Sequence, residues 1–227
     1  MNILGLDTSS QIAGTALIDN ENNHWNISWQ CKNNHTTSVA QSVETIFELS
    51  KTTVKDITAI AVSIGPGLFS SLRTGISFAK GFSFGIGIPI IGINSLEAEA
   101  SACSYDNINL YPIIKVGKHR YAWSVFKSIN NQIITIKQTQ ISSLEEIIAN
   151  LTEKSIVCGE NAIDLESFQK TGEINKNVLI KQSYPTNSRL FAITKLGKIK
   201  INNGEYSDPK TLTPNYYQEP SINKKKE

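Results

Sequence analysis

The chain has 227 residues, 40% of them hydrophobic, which is enough to bury one large domain or two small lobes and too apolar for a disordered polypeptide. Twenty-two Lys and Arg against 20 Asp and Glu leave a net charge of +2, which excludes the strong single-sign field of a general nucleic-acid binder. The one charge run, Lys224-Lys225-Lys226, reads as part of a flexible basic tail over about 220–227.

Three short runs of strand length open the chain, at 2–6 (N-I-L-G-L), 12–18 (I-A-G-T-A-L-I) and 25–31 (W-N-I-S-W-Q-C), separated by the turn-rich D-T-S-S-Q and D-N-E-N-N. From 35 to 50, Val39, Ala40, Val43, Ile46 and Phe47 recur at helical spacing. A strand at 57–64 is broken by Gly65-Pro66-Gly67, and a second helix over 68–84 leads to a strand at 89–93. Asn94 or Ser95 then caps a third helix. Past residue 106 the pattern restarts, with strands at 110–116, 121–129 and 132–138, the last two joined at Asn130-Asn131. Ser142 or Ser143 caps a helix to about 151, strands follow at 156–158 and 177–181, and a helix at 187–201 closes the pattern. Three antiparallel strands followed by two strands each reached through a helix describe an actin-like or sugar-kinase-like lobe. The expected architecture is therefore α/β and two-lobed, with lobes at 1–105 and 106–227 and the second reduced.

Chemistry-bearing segments are few. Asp7-Thr8-Ser9-Ser10 puts a carboxylate and three hydroxyls on a tight turn at the end of a strand, as phosphate-cradling turns of actin-like ATPases do; the same string is also a plain Asx turn whose side chains bond their own backbone. A nucleotide site would need partners in the second lobe, for which 158–162 and Gly172 are the weak candidates. Gly65-Pro66-Gly67 before a helix has the look of an anion nest, but it lacks the Lys-Ser or Lys-Thr of a P-loop and reads as a structural elbow.

His24, His35 and His119 are isolated, so no metal motif is read from them, and Cys31, Cys103 and Cys158 suggest neither a disulfide framework nor a zinc site. Glu97 and Glu99 have the spacing of a solvated helix face. No leader precedes Asp7, and the longest apolar stretch, 82–93, contains Pro89 and is too short for a membrane span, so a soluble cytoplasmic chain is expected.

The helix after the elbow carries the widest apolar arc. Phe69, Leu72, Ile76, Phe78, Ala79 and Phe82 spread over half its circumference, more than one sheet contact uses, while Ser71, Gly75 and Gly81 would let another helix approach. Either a neighbouring element of the same chain or a second polypeptide covers the surplus.

Three segments resemble the bacterial TsaB (YeaZ) family: I-L-G-L-D-T-S-S-Q-I-A-G-T-A-L-I at 3–18, V-S-I-G-P-G-L-F-S-S-L-R-T-G-I-S-F-A-K-G at 62–81, and I-P-I-I-G-I-N-S-L at 88–96. The middle one is close to the family's G-P-G-S-F-T-G-L-R-I-G, with Ser70-Ser71 standing for Thr-Gly. P-N-Y-Y at 214–217 is similar to the family's P-x-Y-L-R, altered at its end. The resemblance implies an actin-like (ASKHA, ribonuclease H-like) fold and a non-catalytic paralogue of TsaD without that protein's metal-binding histidines. It implies pairing with TsaD and with the ATPase TsaE to place threonylcarbamoyl on N6 of adenosine 37 in tRNAs that read codons beginning with A. ATP and threonylcarbamoyl-adenylate would sit on the partner subunits and the tRNA would be touched indirectly; whether the chain alone is a homodimer or a monomer is left open by the sequence.

The resemblance places the pairing surface on the first two helices, here 35–50 and 68–84, and the anchors inferred on them are Val39, Val43 and Phe47 on one and Phe69, Leu72, Arg73, Ile76 and Lys80 on the other. On that basis Leu72→Glu is expected to abolish pairing and spare the fold. Where relatives have D-A-R-x-x-E-V-Y, this chain reads K-V-G-K-H-R-Y-A at 115–122, so roles tied to those groups do not transfer. The competing reading is an ATP-dependent phosphotransferase working through Asp7 and Thr8, or a stand-alone regulatory homodimer.

Overall fold

The computed structural model describes residues 1–30, 35–103, 105, 107–130, 132–152, 154–182 and 187–217. Cys31, Asn131 and the basic tail lie outside them. Strands β1 (Ile3–Asp7), β2 (Ile12–Ile18) and β3 (His24–Gln30) form an antiparallel meander, α1 (His35–Ser50) crosses to β4 (Ala59–Gly65), and α2 (Phe69–Ile86) crosses to β5 (Ile90–Asn94). The sheet order is β3-β2-β1-β4-β5, with β4 parallel to both β1 and β5. Every residue of β1 is buried because the strand is central and covered on both faces, which is why its sequence is continuously apolar up to Asp7. Leu4 stands opposite Leu17 on one side and Ile60 on the other.

Helix α3 (Ser95–Ala102) begins at Asn94, whose side chain accepts the Leu96 and Glu97 amides. Beyond it the first arrangement is repeated. β6 (Asn109–Gly117), β7 (Arg120–Ile129) and β8 (Gln132–Ser142) form a second meander, α4 (Leu144–Ile148) crosses to β9 (Ser155–Gly159), and α5 (Glu166–Thr171) leads to β10 (Leu179–Gln182). The order β10-β9-β6-β7-β8 copies the first sheet strand for strand. The reduction of the second lobe lies in its helices: α4 and α5 have 5 and 6 residues where α1 and α2 have 16 and 18. Ser143 and Glu146 form the capping box that starts α4. The sequence did not signal α5, whose six residues are too few for a periodicity; Gly172, weighed above as a nucleotide contact, is its left-handed C-cap at φ +86°. β8 runs four residues past its expected end and pairs with β7 as far as Tyr121↔Ser142, through register shifts between Trp123 and Phe126.

The two lobes exchange their closing helices. α3 puts Leu96 and Ala100 into a cluster with Leu110, Ile114, Ile156 and Cys158 of the second sheet. The last helix, α6 (Asn187–Asn202), puts Ala192, Ile193 and Leu196 against Ile3, Ala59, Ala61, Ile91 and Ile93 of the first. The opposite face of that first sheet is covered by α1 and α2 through Val39, Val43, Ile46 and Ile76. A division at 105/106 separates the sheets but not the helices. The chain then returns along the first lobe as a strap: the Ser207 amide donates to Ile90, Leu212 enters the first core, and the Asn215 amide donates to the Ile64 carbonyl at 2.7 Å. Among the described residues no helix is long and apolar enough to cross a membrane.

Candidate functional site

The turn after β1 is closed from within. Asp7 Oδ1 accepts the Ser9 amide at 2.9 Å and the Ser9 hydroxyl at 2.7 Å, the Asx arrangement. The Thr8 hydroxyl donates to the Ser71 carbonyl at 2.7 Å, and the Ser10 hydroxyl donates to the Ile12 carbonyl at 2.9 Å. All four side chains are buried. The other oxygen of Asp7 accepts from Arg189 Nε of α6 at 2.5 Å. The same guanidinium reaches Glu99 of α3 at 2.7 Å and the Ser10 hydroxyl at 2.9 Å, with Glu160 of the second lobe at 3.7 Å. Burial opposes the charge on Arg189, but Asp7 and Glu99 outweigh it and raise its pKa, so the cation is permanent. A fixed protein cation thus stands against the carboxylate that a phosphate-binding turn would leave for a metal ion and its water.

Neither Arg189 nor Glu99 was picked out from the sequence, and Glu99 is a correction: it is fully buried, whereas Glu97 makes a partly exposed pair with Lys200 at 2.8 Å. Two signals were available. Glu99 lies three residues after Leu96, on that residue's side of α3. Arg189 is a cation in the first turn of a helix, where the dipole disfavours it unless an anion meets it.

The elbow packs directly on this turn. The Leu68 amide donates to the Ser9 carbonyl at 2.7 Å, and a Cβ at Gly67 would overlap that carbonyl. Gly65 has φ +98°, which an L side chain rarely adopts. Gly159 of the second lobe abuts the Ile113 backbone, and the Asn161 side chain accepts the Lys115 amide at 2.8 Å, so the 158–162 segment is also built into its surroundings. Between the lobes lies a cleft of about 840 Å³ lined by Ser10, Gln11, Phe69, Lys115, Lys118 and Tyr216.

The helix pair α1–α2 corrects half of the expected pairing surface. Val39, Val43, Leu72 and Ile76 are buried in the chain's own interior, with Leu72 1% exposed. The inner third of the α2 arc faces the sheet, so a carboxylate at position 72 would disrupt the core, and Leu72→Glu reports on folding instead of docking. The small residues Ser71 and Gly75 are likewise used internally, by Thr8, whereas a Cβ at Gly81 would meet nothing within 4 Å. Phe47, Phe69, Arg73 and Lys80 reach the surface wholly or in part. Phe47, Phe82 and Phe78 form a half-buried aromatic row between the helices, with centroids 6.4 and 6.1 Å apart. On the other flank of α2 Phe84 is 89% exposed, and on α1 Leu49 is 58% exposed.

Two copies of one five-stranded sheet, exchanged closing helices and an acidic turn at the end of the first central strand define a two-lobed protein of the actin-like (ASKHA) fold. The sequence matches over residues 29–189 the family model described as TsaD, tRNA N6-adenosine threonylcarbamoyltransferase. It is 27% identical over 222 residues to the tRNA threonylcarbamoyladenosine biosynthesis protein TsaB of Buchnera aphidicola subsp. Acyrthosiphon pisum (strain APS), covering 95% of this chain and 98% of that one. To the TsaB protein of Escherichia coli K12 it is 28% identical over 152 residues, covering 65% and 64%. In structure it is similar to YeaZ from Pseudomonas aeruginosa, with a TM-score of 0.78 at 15% identity over 95% of this chain and 99% of that chain. The chain belongs to the TsaD family, in its TsaB (YeaZ) branch.

Proposed function

We propose that this chain is a non-catalytic scaffold subunit in tRNA threonylcarbamoyladenosine biosynthesis. It docks a TsaD-like catalytic paralogue through α1 and α2 and, with a TsaE-like ATPase, serves the transfer of threonylcarbamoyl to N6 of adenosine 37 in tRNAs reading codons that begin with A. Family membership supports the pathway. The observation that carries the scaffold role is α2 itself, where Phe84 stands 89% exposed on one flank and the aromatic row of Phe47, Phe78 and Phe82 is left half covered on the other. The internal Arg189 pair supports the non-catalytic part, because the carboxylate an actin-like ATPase would use is committed to a fixed cation. ATP and threonylcarbamoyl-adenylate belong on this reading to the partners, the tRNA is met through the complex, and the assembly works in the cytoplasm. Without the paralogue the same face pairs two copies of the chain.

Phe84→Glu tests the docking face, since the side chain supports nothing in the fold. Its thermal melt is expected to match the wild type, while affinity for the co-expressed paralogue falls by about thirtyfold or more, the loss of a central aromatic anchor. Full capture of the paralogue by this variant would remove α2 from the docking face. Calorimetry with magnesium ATP checks the other half: micromolar binding by the lone chain would favour the phosphotransferase reading.

A further inference from the structure

We infer that Arg73, laid over the Phe69 ring and tied to the Tyr216 hydroxyl, is a preformed receptor for a carboxylate of the polypeptide that docks on α2. The inference rests on the docking reading above and adds its chemistry. The Arg73 guanidinium carbon lies 3.9 Å from the centroid of the Phe69 ring and 5.6 Å from that of Tyr216, and the two rings stack at 4.6 Å. Nε donates to the Tyr216 hydroxyl at 2.7 Å. Tyr216 is itself held by the strap, through Leu212 in the core and the Asn215 amide on Ile64.

An exposed arginine ordinarily samples many rotamers, and this one is fixed by ring stacking and one hydrogen bond. The ordering that weakens most surface ion pairs has already been met by the fold. Its Nε is taken by Tyr216, which leaves the terminal nitrogens as the donors for a partner. Among the described residues no carboxylate lies within ion-pair distance of Arg73 or Lys80. α2 carries those two cations and no Asp or Glu.

Arg73, Ser77, Lys80 and Phe84 follow one another at helical spacing, so they lie along one stripe of about 16 Å with charge at one end and a bare phenyl ring at the other. Such a stripe fits a polypeptide that offers a carboxylate to Arg73 and an apolar pocket to Phe84. A nucleic-acid duplex would engage the cations through its phosphates but leave the bare phenyl ring of Phe84 uncovered.

Calorimetry of the full chain with the purified catalytic paralogue of the same cell separates the possibilities, using wild type, Arg73→Gln, Arg73→Glu and Tyr216→Phe, each checked by thermal melt. Arg73→Gln is expected to raise Kd by about tenfold and Arg73→Glu by about a hundredfold, since the second adds like-charge repulsion. Tyr216→Phe keeps the stacked ring and the arginine charge but releases Nε, and is expected to raise Kd by about threefold to fivefold. The wild-type affinity falls more steeply with salt than that of Arg73→Gln. Arg73→Glu binding the paralogue as tightly as wild type overturns this inference and leaves the docking reading standing. Absence of wild-type binding overturns the docking reading itself. Loss of tRNA capture by the assembled complex, with paralogue affinity unchanged, would reassign Arg73 to nucleic acid and also overturn the inference.

Discussion

Arg189 ties together three separate parts of this molecule. It rises from the start of α6 and meets a carboxylate from β1, a second from α3 and, at 3.7 Å, a third from the segment after β9. Buried ion pairs seldom add net stability, but removing one member leaves the others charged and desolvated. Arg189→Met keeps the apolar stem and deletes the charge, so Asp7 and Glu99 lose their cation in a fully buried setting. Urea denaturation is expected to show a loss of about 3–5 kcal/mol. The triple variant Arg189→Met/Asp7→Asn/Glu99→Gln should recover a large part of it, because no unpaired charge remains. A single variant as stable as wild type would mean that Arg189 does not hold this end of the cleft. The sequence displayed Asp7 plainly, at the end of an apolar run. It could not display what neutralises Asp7, because the partner stands 182 residues away and comes from a helix of the other half.

At the scale of the element, α2 shows what periodicity reveals and what it leaves open. The repeat of Leu72, Ile76, Ala79 and Phe82 marks an apolar helix with an arc too wide for one contact. Which part of the arc is covered depends on Thr8, on α1 and on the strap at Tyr216, none of which the α2 sequence contains. Half of the proposed docking residues fell on the inner side for that reason. The glycines of α2 separate the two sides experimentally. A Cβ at Gly75 would overlap the Thr8 hydroxyl, whereas at Gly81 and Gly85 it would meet nothing within 4 Å. Replacing an unconstrained helical glycine by alanine stabilises by about 0.5–1 kcal/mol through the unfolded chain. Overpacking a filled core site costs about 1–3 kcal/mol. Gly81→Ala and Gly85→Ala are therefore expected to raise the melting temperature and Gly75→Ala to lower it, as differential scanning calorimetry would read. A rise for Gly75→Ala would show that the Asp7 turn yields to α2, contrary to the packed arrangement of Thr8 between Ser71 and Gly75.

For the whole molecule, the duplicated sheet was legible because each strand carries its own local signal, a short apolar run bounded by turn residues. The exchange of α3 and α6 was not legible. An amphipathic helix announces that it needs a sheet face, not which sheet: α6 packs on the sheet farther from it in sequence, and α3 divides its residues, Ala98 toward the first sheet and Leu96 and Ala100 toward the second. The exchange has a consequence for folding. The face of the first sheet formed by Ile3, Ala59, Ala61, Ile91 and Ile93 is covered by Ala192, Ile193, Leu196 and Ile201 of α6, with only Ala98 and Ala102 contributed by α3, so the first hundred residues contain two sides of a sandwich and lack most of the third. A fragment of residues 1–105 is expected to lack cooperative unfolding in circular dichroism and to bind a hydrophobic dye, because that face meets water. Supplying a separate peptide of residues 187–217 should restore a sigmoidal transition and suppress the dye signal, since it returns both α6 and the Leu212 plug. A fragment 1–105 that melts cooperatively alone would mean that the first lobe has its own closed core, and α6 would then be a clasp between finished lobes instead of a layer of one.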